Sequence, residues 1–142
     1  MNIHPLATNR ARSPLITGSD TDVGLARVLV VEQHAATAEM TLLVLATAGY
    51  DAAHTATGNE ALEAADDWHP DLVLLDPLVP DLAPNEVCLR MRQKSTAPIM
   101  IVSTENEASI LDLAMAVGAR DYLRKPFRTI DLLSRIHARL HS

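Results

Sequence analysis

Four segments of the chain end in side chains that could act together. The aliphatic run Leu72-Val73-Leu74-Leu75 closes on Asp76, and Val28-Leu29-Val30-Val31 runs into Glu32-Gln33. Ile99-Met100-Ile101-Val102 runs into Ser103, and Tyr122-Leu123-Arg124 runs into Lys125-Pro126-Phe127. Aliphatic runs without polar alternation read as strands buried on both faces, and open parallel sheets place their chemistry at the carboxyl ends of such strands. One rim of one sheet would then gather a carboxylate, an acid-amide pair, a hydroxyl and an ammonium. Asp76 is the first candidate for a functional site.

These residues need a scaffold, and the hydrophobic periodicity supplies one. From Arg27 onward a strand-then-helix pattern repeats five times, with strands near 27–31, 50–54, 71–76, 98–103 and 120–124. Helices are expected near 34–48, 58–67, 84–93, 106–117 and 128–140, each with apolar residues three and four apart, as in Leu133, Ile136 and Leu140. Gly49 and Gly118 sit where a helix would be stopped by a residue in the left-handed conformation. Such alternation with short connections predicts an α/β fold, a parallel sheet with right-handed crossovers and helices on both faces. Residues 1–26 break the pattern with Pro5, Pro14, Gly18 and Gly24 and read as a loose amino-terminal extension, leaving 27–142 as the domain.

Composition narrows the classes of function. With 142 residues, of which 48% are hydrophobic, the chain can hold one domain with an aliphatic core. The net charge of −6 argues against nucleic-acid binding by this chain itself, because domains that bind nucleic acid carry a basic stripe. The single cysteine, Cys88, excludes an intrachain disulfide and suits a reducing compartment. No stretch approaches the ~18 consecutive apolar residues of a membrane span, and no signal peptide is evident, so a cytoplasmic protein is expected. The six histidines show no ligand spacing that would argue for zinc. A glycine-rich phosphate loop and a nucleophile elbow are both missing, which leaves an enzyme with a diffusible substrate without support.

From Arg27 to His141, about four-fifths of the chain, the sequence resembles the receiver domain of bacterial two-component response regulators. The stretches that carry the resemblance are Arg27–Val31, Ala48-Gly49-Tyr50, Gly58–Leu62, Pro70–Asp76, Glu86-Val87-Cys88, Pro98–Ser103 and Gly118–Phe127. Asp121-Tyr122-Leu123 and Ile130-Asp131-Leu132-Leu133 look most like the OmpR/PhoB subfamily, whose receivers precede a winged-helix DNA-binding domain. The resemblance implies a flavodoxin-like, doubly wound sheet of five strands in the order 2-1-3-4-5. It also implies a chemistry: the aspartate matching Asp76 attacks the phosphorus of a histidine kinase's phosphohistidine, giving an aspartyl phosphate. Magnesium, held by hard oxygen ligands at the positions of Asp76, the Leu78 carbonyl and the pair Glu32-Gln33, would neutralise the charge that builds during transfer. Lys125 would pair with the phosphoryl oxygens and Ser103 would donate a hydroxyl. Tyr122 would be the switch aromatic, and the Lys125-Pro126 bond would be cis.

The chain departs from this pattern at the metal. Gln33 stands where the family has its second acid, so a neutral amide replaces a charged ligand, and weak or absent magnesium binding and phosphorylation are expected. Pro77 follows the acceptor directly, and Ala83-Pro84 replaces the usual Asp-Gly, although proline is acceptable as the first residue of a helix. On the output face, Asp121, Asp131 and Arg135 keep part of the subfamily's salt-bridge lattice. Ile110 and Leu111 replace an acid and a base of the fourth helix, which suggests a homodimer through the fourth helix, fifth strand and fifth helix held by apolar contact.

Plainer readings stand beside these. Asp76 could cap a strand end, Tyr122 could be a packed aromatic, Cys88 reads as core, and Asp66-Asp67 read as a solvated turn. Two functions remain: an atypical receiver whose signal is the dimer itself or a small-molecule ligand, with DNA reached only through an output domain outside this chain, or a phosphorylation-competent stand-alone receiver in a phosphorelay.

Overall fold

The computed structural model describes residues 25–104, 108, 112, 115–116 and 118–141. The predicted amino-terminal extension, most of the predicted helix 106–117, and with it Ile110 and Leu111, lie outside the described residues. Among the described residues, five strands and four helices can be bounded: β1 (Arg27–Val31), α1 (Ala35–Thr47), β2 (Asp51–Thr55), α2 (Gly58–Trp68), β3 (Leu72–Leu75), α3 (Pro84–Lys94), β4 (Ile99–Ser103), β5 (Ala119–Arg124) and a last helix, the C-terminal helix (Thr129–Leu140). The strands form one parallel sheet in the order β2-β1-β3-β4-β5, the flavodoxin-like arrangement.

The aliphatic runs explain the two-sided core. Because successive side chains on a strand point to opposite faces, each run feeds two layers. Leu29, Val31, Val73, Leu75, Ile99 and Ile101 pack with Leu62 and Trp68 of α2 and with Val87 and Met91 of α3. Val28, Val30, Leu72, Leu74, Met100 and Val102 pack with Leu45 of α1 and with Leu132 and Ile136 of the C-terminal helix. Cys88 is buried in the first layer, as its plain reading predicts.

Strand ends differ from the sequence expectation by one residue, since Asp71 and Asp76 lie just outside β3. Asp71 instead ties down the start of β1: its carboxylate accepts from the Arg27 N–H at 2.8 Å, and its own N–H donates to the Arg27 carbonyl at 2.7 Å. Asp66-Asp67 are not a turn. They belong to the last turn of α2, and Asp66 pairs with Lys94 of α3 at 2.6 Å. The chain is stopped two residues later by His69, which takes the left-handed conformation at φ 56°. Gly49 and Gly118 have φ of 95° and 123°, a region that glycine enters without steric cost. Among the described residues, no helix is long and apolar enough to cross a membrane.

Candidate functional site

Strand register delivers the candidate residues to one rim. Val31 pairs with Leu75, and Leu75 with Ile101, so the residues that follow emerge side by side. The ladder continues one step beyond the strands: Asp76 N–H donates to the Val31 carbonyl at 3.0 Å, Glu32 N–H to the Thr55 carbonyl at 3.0 Å, and Lys125 N–H to the Ser103 carbonyl at 2.9 Å. Each functional position is thus fixed by backbone hydrogen bonding before its side chain makes any contact.

At the centre lies Lys125. Its ammonium donates to Asp76 Oδ2 at 2.9 Å and to Glu32 Oε1, bridging two carboxylates that the fold has almost removed from solvent. Ser103, at the end of β4, is fully buried. The Lys125-Pro126 peptide is cis, as the resemblance implies. Beneath the ammonium lies a cavity of only about 10 Å³, lined by Val30, Leu74, Val102, Phe127 and Leu132 among others, which is room for one water at most.

The charges are tightly coupled. Burial alone would raise the Glu32 pKa, but hydrogen bonds from the Lys125 ammonium and from His34 outweigh it and hold the carboxyl below its ordinary value. Burial likewise works against the Lys125 ammonium, and the two carboxylates more than reverse this, raising its pKa. Glu32 and Lys125 therefore each hold the other in its charged form.

The neighbours of this triad were not visible as a site in the sequence. His34 places both its N–H and its ring Nδ1 3.1 Å from Glu32 Oε2, while His54 sets Nε2 2.7 Å from the Glu32 carbonyl. Both histidines come to Glu32 by local geometry: one lies two residues on at the start of α1, the other in β2 alongside β1. Position immediately after the acid-amide pair was the one signal that could have singled out His34.

Gln33 takes a definite role. Its side-chain amide donates to the Leu78 carbonyl at 2.9 Å, and the Leu78 N–H donates to Asp76 Oδ1 at 3.0 Å. Leu78 is thereby held through both its backbone groups. A divalent cation needs hard oxygen ligands with negative charge. Here Glu32 is engaged by Lys125 and His34, and the Leu78 carbonyl accepts from the Gln33 amide, so in this arrangement the oxygens that would hold the ion have other partners. Among the described residues, no three His, Cys, Asp or Glu side chains are grouped to hold a metal.

The remaining predicted positions lie around β5. Tyr122 is half-buried and packs against the core layer shared with α2 and α3. Asp121, Asp131 and Arg135 make ion pairs within the chain: Arg135 Nη1 to Asp121 Oδ1 at 2.8 Å, Arg128 Nε to Asp131 Oδ2 at 3.0 Å, and Arg139 Nε to Asp121 Oδ2 at 3.6 Å.

The sequence profile of the response regulator receiver domain matches residues 28–137. The chain belongs to the response regulator receiver family. This receiver is 39% identical over 114 residues to the DNA-binding response regulator MtrA of Mycobacterium tuberculosis, covering 80% of this chain and 50% of that one. It is 36% identical over 113 residues to the cell cycle transcriptional regulator CtrA of Caulobacter vibrioides, covering 79% and 49%. The receiver thus spans about half the length of these curated relatives. Among solved structures, a CheY-like receiver domain protein from Methanospirillum hungatei superposes with a TM-score of 0.80 at 25% identity, covering 83% of this chain and 95% of the other. In this receiver Asp76 directly follows β3 with Lys125 against it, and Gln33 stands beside Glu32.

Proposed function

We propose that this chain is an atypical receiver that controls an output, transcription through a winged-helix DNA-binding domain outside this chain, with weak or absent phosphorylation of Asp76. The Gln33 amide on the Leu78 carbonyl carries the reading. An amide in place of a carboxylate removes one negative charge from the ligand set and hydrogen-bonds the carbonyl that would complete it. Magnesium, where it binds, would be held by Glu32, Asp76 and Leu78, and would supply charge neutralisation during phosphoryl transfer. With that help reduced, Asp76 is a poor acceptor. The receiver's signal is then its own association, a two-fold dimer through the fourth helix, β5 and the C-terminal helix, or a bound small molecule. The relatives MtrA and CtrA, a DNA-binding response regulator and a transcriptional regulator, support transcription as the output.

The alternative is a phosphorylation-competent receiver that takes its phosphoryl group from a histidine kinase and acts through protein contacts in a phosphorelay. The intact Asp76–Lys125 contact at 2.9 Å favours it. Exposure to acetyl phosphate, or to beryllofluoride, with magnesium decides between the two, read by intact mass and by solution size. The atypical reading expects little phosphorylated mass and a dimer with or without treatment. Rapid, near-complete phosphorylation would overturn it in favour of the phosphorelay.

A further inference from the structure

The loop after the acceptor, residues 77–83, is fastened at both ends, and its far fastening has no part in the chemistry above. At its far end Asp81 turns its carboxylate onto the amino terminus of α2, where Oδ1 accepts from the Gly58 N–H at 2.8 Å and Oδ2 from the Asn59 N–H at 2.9 Å. Locally, Thr57 Oγ1 accepts from the Glu60 N–H at 3.1 Å, and Glu60 Oε1 accepts from the N–H of Ala56, the residue before the N-cap, at 3.0 Å. Asp81 takes the N–H groups of the first two helical residues, at the positive end of the helix dipole. The contact spans 22 and 23 residues of sequence, so it is a clasp between two segments and not a local cap.

Gly58 gives independent testimony. A Cβ at that position would lie 2.7 Å from Leu82 Cδ1 and 3.1 Å from Asp81 Oδ1, so any larger residue there must push the Leu82 side chain aside. Leu82 follows Asp81 and packs against the core layer under α2 and α3. The near end of the same loop is Leu78, whose N–H meets Asp76 and whose carbonyl meets Gln33.

We infer that Asp81 is a positioning residue for the acceptor site: by clasping the loop to α2 it sets where the N–H and carbonyl of Leu78 lie against Asp76. The inference rests on Asp76 as the acceptor position, and its test needs neither phosphate nor metal, so it can fail without touching the phosphorylation reading. Two of the backbone groups that surround the acceptor belong to a loop whose far anchor is Asp81. Releasing that anchor should loosen them while the sheet stays intact.

Amide hydrogen exchange of the whole chain, followed by NMR in the unmodified protein and in Asp81→Ala, Asp81→Asn and Gly58→Ala, tests this. A role confined to capping α2 predicts faster exchange only in the first turn of α2. A role confined to stability predicts faster exchange at Leu78 and at Val73 and Leu74 of β3 in equal measure. Positioning predicts at least roughly tenfold faster exchange at Leu78 in Asp81→Ala with the β3 amides unchanged, because local opening is separable from global unfolding. Asp81→Asn, which keeps an acceptor oxygen, should fall between, and Gly58→Ala should reproduce the effect by the steric route. Should Asp81→Ala fail to fold, the Asn and Gly58 variants carry the same comparison. Unchanged exchange at Leu78 in the folded variants, or exchange there that merely tracks β3, would overturn the inference.

Discussion

Removing the ammonium from the triad is the most direct perturbation of this site. In Lys125→Met the methylene stem is largely kept and the charge is lost, leaving the Glu32 and Asp76 carboxylates, whose side chains are only 4% and 11% exposed, without their shared cation. Breaking a buried ion pair by deleting one partner costs about 3–5 kcal/mol, because the other charge stays behind unpaired. Lys125 is itself 13% exposed at the rim, so the low end of that range, about 3 kcal/mol at neutral pH, is expected. The assay is equilibrium urea unfolding across pH, with and without magnesium. In the unmodified protein Glu32 has a folded pKa below its ordinary 4.5, so its contribution is present above that value and is lost as pH falls through the depressed one. In the variant Glu32 loses the ammonium that lowers its pKa and titrates higher, and the two stability curves should converge as pH falls below the ordinary glutamate value. Adding Asp76→Asn to Lys125→Met should recover roughly half of the deficit, a coupling of about 1 kcal/mol or more between groups in contact. Magnesium should also stabilise the variant more than the parent, since the ion can take the place of the missing ammonium. A deficit below about 1 kcal/mol at neutral pH, typical of an exposed pair, would refute the picture of a coupled, desolvated triad.

Other outcomes follow from single residues. Gln33→Asp should tighten magnesium binding and speed phosphorylation of Asp76, because it restores a charged oxygen ligand; calorimetric titration that finds equal affinity in the two proteins would count against the role given to the amide. Replacing Ile110 by Asp and Leu111 by Lys should shift the protein toward monomer in sedimentation, since apolar area buried at a two-fold contact is worth roughly 25 cal/mol per Å² and is used twice; an unmodified protein that is monomeric at high concentration would dispose of the dimer. Burial pushes the Cys88 thiol from 9.0 up to about 11, so in the native protein it should react roughly a hundredfold more slowly with a thiol reagent than in the unfolded chain. The same raised pKa contributes stability below pH 9 that is lost as pH rises toward about 11, about 3 kcal/mol in all, and an unchanged alkaline slope in Cys88→Ala would contradict it.

The legibility of this fold in its sequence was uneven, for physical reasons. Uninterrupted aliphatic runs admit few structures other than strands covered on both faces, and Leu133, Ile136 and Leu140 admit little besides a helix with one buried side. Runs that each end in a polar residue also place those residues at one rim, because parallel strands all point the same way, and so Asp76, Glu32, Ser103 and Lys125 could be named together. The helix expected over 58–67 already covers Asp66 and Asp67; reading the pair as a solvated turn overlooked that continuity, and the ion pair of Asp66 with Lys94 of α3 was beyond the sequence because it joins residues 28 apart.

What the chain order could not supply was the pairing of polar groups across segments. Gln33 was visible as a missing charge, but that its amide would close on the Leu78 carbonyl depends on the loop after β3 returning beside β1. His54 became a neighbour of Glu32 through the register between β1 and β2, and Asp81 became an anchor only once its loop crossed the start of α2 at Gly58. Hydrophobic pattern is a property of neighbours along the chain and survives in one dimension. A hydrogen bond depends on atoms within about 3 Å of each other, a distance decided only when strands and loops far apart in sequence are brought to the same rim.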